Sequence, residues 1–233
     1  MLVFSSVFGV LLAGCGGGGG GSGGASVAVA AQTGTNPTAA FPLDAAVSAY
    51  HQASHNDTLT AIFSPGNTFT LQLGYVPGTA QQIFEGRQAS TGVDSGTLSL
   101  NGVVLQTSSA TSYFTTAPFT KLGSTSSNGH YSVTANWQAL PVSATVGQSG
   151  PVDTTTTYTD NTKAAVYSTD TTTWSLVSDT PTTVWFCSNT TVTAVAVGAT
   201  SSTGFSCLKI NQAGVVLGRK VSILVNGQML TFQ

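Results

Sequence analysis

The amino-acid sequence predicts an all-β domain, an antiparallel β-sandwich or barrel-like meander with one short N-terminal helix. Three observations carry this expectation. Apolar residues alternate with polar ones over most of the chain after residue 60. Dipeptides that favour tight turns separate the alternating runs. Only 6 % of the 233 residues are charged, while 27 are glycine and 8 are proline. Polarity therefore comes from Ser, Thr, Asn and Gly, which suit short strands and turns better than helices.

The helix opens at Phe41-Pro42-Leu43-Asp44. Proline fits a first helical turn, and Asp44 complements the N-terminal dipole. Leu43, Ala46, Val47 and Tyr50 recur at i, i+3, i+4 and i+7, one apolar stripe. This predicts a helix near 43–54, ending before Asn56. The period then changes to two. Phe69, Leu71, Leu73 and Tyr75 alternate with polar residues, and so do Tyr131, Val133, Ala135 and Trp137. Leu98, Leu100, Val103 and Leu105 flank Asn101-Gly102. Further strands are expected at 163–169, 173–177, 183–197, 205–210, 215–217, 221–225 and 228–232. The Thr-rich stretch 153–159 reads as an exposed edge strand or a loop. Pro65-Gly66-Asn67, Asn101-Gly102, Asn128-Gly129 and Asn226-Gly227 supply the positive φ angles of tight turns. Neighbouring hairpins favour a meander, with Greek-key crossings left open through the longer loops.

Six basic and eight acidic residues give a formal charge of −2. That excludes a basic nucleic-acid footprint, a polybasic membrane patch and charge-driven disorder. A membrane-spanning barrel is not expected either, because the strands lack a consistent outward apolar band.

Residues 2–14 form an apolar run broken only by Ser5 and Ser6. It is shorter than the roughly 20 residues of a spanning helix and has the length of a signal-peptide core. The run ends in Leu12-Ala13-Gly14-Cys15, which resembles the lipobox of bacterial lipoproteins. No Lys or Arg precedes the apolar run, a departure from that family's pattern. The resemblance covers the first 15 residues. It implies removal of residues 1–14, a diacylglyceryl group on the Cys15 sulfur and an amine-linked acyl chain. Gly16, where an aspartate would retain such proteins in the inner membrane, implies an outer-membrane or cell-surface destination. Residues 16–24 are glycine except for Ser22, a tether of about 15–18 Å. The organisation expected is thus a signal peptide over 1–14, a lipidated cysteine and flexible tether over 15–40, and a single all-β domain over 41–233.

Setting Cys15 aside for lipid leaves Cys187 and Cys207, expected to form a disulfide in an exported chain, with a pair of buried free thiols the alternative. His51 and His55 lie four apart, a spacing at which two imidazoles on a helix can share a metal. Gln52 stands where a metalloprotease would place its glutamate, and Asp44, Ser48, His51 and His55 read as a solvated helix flank. Ser206-Cys207-Leu208-Lys209 matches the S-x-x-K pattern of serine penicillin-binding enzymes, but in an apparent strand and without their companion motifs, so chance is the better reading. Gly147-Gln148-Ser149-Gly150-Pro151 is not a nucleophile elbow. Glu85 is the single glutamate and nothing selects a pair of carboxylates for glycoside hydrolysis. Asp160-Asn161 and Asp170 lack the dense spacing of a calcium loop and read as turn formers. Trp137 is expected in the core and Trp185 beside the disulfide, while Trp174 is the best candidate for an exposed ligand-stacking ring, with core or half-buried packing the favoured reading for all three. Two sequons, at Asn56 and Asn189, read as incidental in a bacterial chain. No cofactor is implied.

The function expected is a non-enzymatic envelope lipoprotein, bound to membrane through its anchor and displaying an all-β binding or structural domain to a glycan or protein partner. An anchored hydrolase of glycans or esters, and a subunit of a surface filament or adhesin, are the alternatives.

Overall fold

The computed structural model describes residues 38–225 and 228–233. The lipobox, Cys15, the glycine tether and the Asn226-Gly227 turn lie outside the described residues.

The described chain is one antiparallel meander. The helix α1 spans Leu43–Tyr50. The strands are β1 His55–Ser64, β2 Asn67–Pro77, β3 Gln82–Phe84, β4 Arg87–Leu100, β5 Val103–Thr116, β6 Phe119–Ser126, β7 Tyr131–Ala135, β8 Ser149–Tyr158, β9 Val166–Thr180, β10 Thr183–Ala194, β11 Ser202–Asn211, β12 Val216–Val225 and β13 Gln228–Phe232. Every strand but β3 pairs with its neighbours in chain order, with no Greek-key crossing. The ends then meet. Thr60 N–H donates to the Gln233 carbonyl at 3.1 Å, and Gln233 N–H donates back at 3.2 Å. The sheet is therefore a nearly closed barrel, which leaves little unpaired edge.

Turn chemistry sets the hairpins. Asn101 and Gly102 both have positive φ, 49° and 82°, the conformation that two-residue hairpin turns require. The Asn101 side-chain carbonyl also accepts from Thr68 N–H at 2.9 Å, which ties this turn to β2.

Alternation sorts side chains to the two faces. Leu71 lies opposite Leu98, Phe186 opposite Leu208, and Val184 opposite Ile210. These inward residues join Leu59, Phe69, Leu73, Leu176, Val221, Leu230 and Phe232 in the main core. Phe41, just before the helix, and Leu43, Ala46 and Val47 on it enter the same cluster. The rest of the inner wall is polar: Ser112, Lys121, Ser124, Ser132, Asp153, Thr155, Thr157, Ser168, Asp170, Thr172, Ser188 and Thr190 are all buried. Outside the barrel, β3 folds back on β4 and builds a satellite cluster of Phe84, Ala89 and Leu122 against Tyr113 and Tyr131.

Helix α1 lies at the barrel end that carries the β5–β6, β7–β8 and β11–β12 connections. Phe41 bridges to Ala144, Ser48 Oγ donates to the Thr116 carbonyl at 2.8 Å, and Gly214 closes against Pro42. A Cβ at Gly214 would sit 3.0 Å from the Pro42 ring.

Several expectations need correction. The helix stops at Tyr50, four residues early. Tyr75 Oη donates to the His51 carbonyl at 2.8 Å, capturing an end group that a longer helix would use. The 153–159 stretch is neither edge nor loop; it belongs to β8, paired on both sides. The segments 163–169 and 173–177 are mostly one strand, β9. Likewise 215–217 and 221–225 are joined as β12. Trp137 is half-buried beyond the end of β7. Positive φ at Asn136 redirects the chain there, and the ring packs edge-on against Phe119 at 5.7 Å.

Candidate binding pocket at the barrel end

A pocket of about 640 Å³ opens between α1, the start of β1 and the β11–β12 hairpin. Its walls are small and apolar. Ala45, Ala46, Ala49 and Ala53 come from α1 and the turn after it, and Val215, Val216 and Leu217 from the hairpin. The alanines follow from the local sequence, since LDAAVSAY places large residues on the buried stripe and methyl groups beside it. Val215 and Leu217 are both half exposed.

The polar residues gather at one end. Tyr50 closes α1, His55 and Asp57 lie two apart on the inward face of β1, and Arg219 points inward from β12. Tyr50 Oη donates to Asp57 Oδ2 at 3.4 Å, and Arg219 Nη1 donates to Tyr50 Oη at 3.4 Å. Arg219 and Asp57 form a loose ion pair at 3.6 Å, with the arginine side chain almost wholly buried. The His55 ring packs between Tyr50 and Tyr75, with centroids 3.9 and 5.1 Å away.

Electrostatics makes this end neutral and protic. Burial raises the Tyr50 phenol above its ordinary value, so it remains a hydrogen-bond donor. Burial also lowers the His55 imidazole, so the ring is uncharged at neutral pH. The formal charges of Asp57 and Arg219 cancel. An alanine-walled cavity with a few convergent polar groups is suited to a small amphipathic molecule.

The predicted site residues are scattered. His51 is 4 % exposed; its Nδ1–H donates to the Val47 carbonyl at 2.9 Å, and its ring packs on Phe119 at 4.6 Å. The solvated-flank reading of His51 is therefore wrong. The shared-metal reading of His51 and His55 loses its helix, because His55 is already in β1. Among the described residues, no group of three or more His, Cys, Asp or Glu could hold a metal. Trp174 is only 7 % exposed and faces inward opposite Gly150, so it presents no ring to the outside. Trp185 does share the outer face of β10 with Cys187, and its ring lies under Lys220 Nζ at 4.3 Å from its centroid. Cys187 and Cys207 are bonded and lie directly opposite one another on β10 and β11, with Cα atoms 3.9 Å apart. Ser206 and Lys209 stand three apart on one strand, hence on opposite faces, and cannot act together. Asp160 caps a turn by accepting from Thr162 N–H at 2.8 Å.

Tyr50, Asp57 and Arg219 were not recognised as site residues. One signal was present for Arg219. Val221, Ile223 and Val225 alternate on the inward face, and Arg219 continues that parity. A charged residue at a core position is a site candidate by its cost alone.

No family model matches the chain, and neither a curated protein nor a solved structure matches it.

Proposed function

We propose that this chain is a bacterial envelope lipoprotein. Lipid on Cys15 holds it at the outer membrane or cell surface, and its β-barrel captures a small amphipathic molecule of no net charge. The end pocket carries the ligand-binding part. Its apolar walls would take the body of the ligand, and the Tyr50–Asp57–Arg219 group would hydrogen-bond its head. The lipobox-like Leu12-Ala13-Gly14-Cys15 carries the anchoring part. More than one acyl chain makes such an anchor stable. Filament formation by strand addition finds little support, because β1 and the segment after β13 are hydrogen-bonded to each other.

Both parts have direct tests. Intact mass of protein expressed in a bacterium should show loss of residues 1–14 and gain of acyl groups. Cys15→Ser should leave the detergent phase; a wild-type protein that stays water-soluble and unacylated defeats the anchor. For the pocket, the full chain carrying Cys15→Ser is titrated with Nile red, a neutral apolar dye. Saturable fluorescence enhancement should disappear when Ala49→Trp fills the cavity. Equal binding by both proteins would move the ligand elsewhere.

A further inference from the structure

A second set of polar groups faces the interior on strands that do not line the end pocket. On β8 and β9, Asp153 lies opposite Thr172 and Thr155 lies opposite Asp170. The four form a square in which carboxylate and hydroxyl alternate, and all four are buried. Lys121, also buried, reaches from β6 to place Nζ 3.5 Å from Thr155 Oγ1.

The square is chemically incomplete. Asp153 is 4 % exposed, and neither of its carboxylate oxygens has a hydrogen-bond partner among the described residues. Among the described residues Asp170 accepts one long bond, from Ser168 Oγ at 3.4 Å. None of the ion pairs among the described residues includes Lys121. A buried carboxylate with no donor is costly, and a positive group against it would relieve that cost.

Charge and donor type narrow what that group is. Within the square the two formal carboxylate charges outnumber the one Lys121 ammonium, whose charge also acts on Asp94 of β4, and a monovalent cation is the smallest charge that redresses the balance. Carboxylate and hydroxyl oxygens are hard donors. Two residues along the same face of β9 from Thr172 comes the buried Trp174, and indole faces attract cations.

We propose that Asp153, Thr155, Asp170 and Thr172 hold a monovalent cationic group, either an alkali ion or a small primary ammonium. This site is independent of the end pocket and of the lipid anchor.

The test is thermal unfolding of the full chain at constant ionic strength. Chloride salts of sodium, potassium and methylammonium are compared with that of N-methylglucamine, whose bulk excludes it from such a site. A bound cation should raise Tm saturably, by about 3–6 °C at ten times its Kd. A rise with sodium or potassium alone identifies an alkali ion; a rise with methylammonium alone identifies an amine. Asp153→Asn should abolish the response, and Asp160→Asn, in an exposed turn, should keep it. Sodium-23 line broadening, reversed by the competing cation, reads binding in the wild-type protein even if Asp153→Asn does not fold. No salt raising Tm above the glucamine control would overturn the proposal, as would a response that survives Asp153→Asn.

Discussion

Asp94→Asn should stabilise the protein relative to wild type, and increasingly so as pH rises. Asp94 sits on β4 with 4 % of its surface exposed. Burial pushes its carboxyl up from 3.8 to about 6, against the pull of the hydrogen bond donated by Ser112 and of the Arg219 and Lys121 charges. The folded value lies above the unfolded one, so the folded protein binds more protons between these two values. The stability linked to Asp94 is fully present below about pH 3.8 and is lost as pH climbs through about 6. A shift of roughly two pH units corresponds to about 3 kcal/mol. Asparagine has nearly the same shape and does not ionise. The stability difference, variant minus wild type, should therefore grow by about 3 kcal/mol between about pH 3.5 and 7.5. Urea unfolding of both full chains across that range measures it. Buried His51, held well below its ordinary pKa by desolvation, weakens both proteins alike as pH falls, so the difference is the quantity to follow. A difference flat to within about 1 kcal/mol, or one that shrinks with rising pH, would refute the reasoning.

Replacing both disulfide cysteines, Cys187→Ala with Cys207→Ala, should cost about 3 kcal/mol for a closed loop of this length; the sequence separation is 20. Chemical denaturation without reductant checks it, and a loss under about 1 kcal/mol would mean that hairpin pairing alone constrains this segment. Gly92→Ala should destabilise by about 1–3 kcal/mol, because the new methyl would clash with the Tyr75 phenol and dislodge its bond to the His51 carbonyl. Thermal unfolding that leaves Tm unchanged would show that Tyr75 moves aside freely. Lys163→Ala should change stability by less than about 1 kcal/mol, since its 2.7 Å pair with Glu85 is solvent-accessible; a larger loss in urea would reveal an unrecognised role for the β8–β9 turn.

Legibility followed contrast between the two faces of each strand. In β2, Phe69, Leu71, Leu73 and Tyr75 against Thr, Gln and Gly announced the strand, its face and its burial. β13 was placed at its true bounds for the same reason. In β8, Asp153-Thr154-Thr155-Thr156-Thr157 carries threonine on both faces. Period-two reasoning has no amplitude there, so a strand from the middle of the sheet looked like an edge or a loop. The same absence of contrast hid the polar inner wall, and with it Asp153 and Asp170. Trp174 stands out as the best exposed candidate only because its threonine neighbours on β9 suggest a wet surface, whereas the inward ones face a polar interior and the ring follows the packed reading. The end pocket depends on β1, β12 and α1 arriving together, which local pattern does not encode; only the inward parity of Arg219 pointed toward it.

The junction of β1 with the segment after β13 has a consequence in time. The Thr60 and Gln233 hydrogen bonds join residues separated by nearly the whole described chain. Every other pairing in the barrel joins strands close in sequence and can form as soon as its two strands are available. The seam must wait until the last strand has emerged. Such distant pairings are slow to find, because the ordering cost of the intervening chain comes before any contact rewards it. During that wait β1 and β13 both expose unpaired edges, the condition under which chains of this kind aggregate or exchange strands. Synthesis would thus deliver an open, curled sheet first. The barrel forms only in a final step that no partial chain can take.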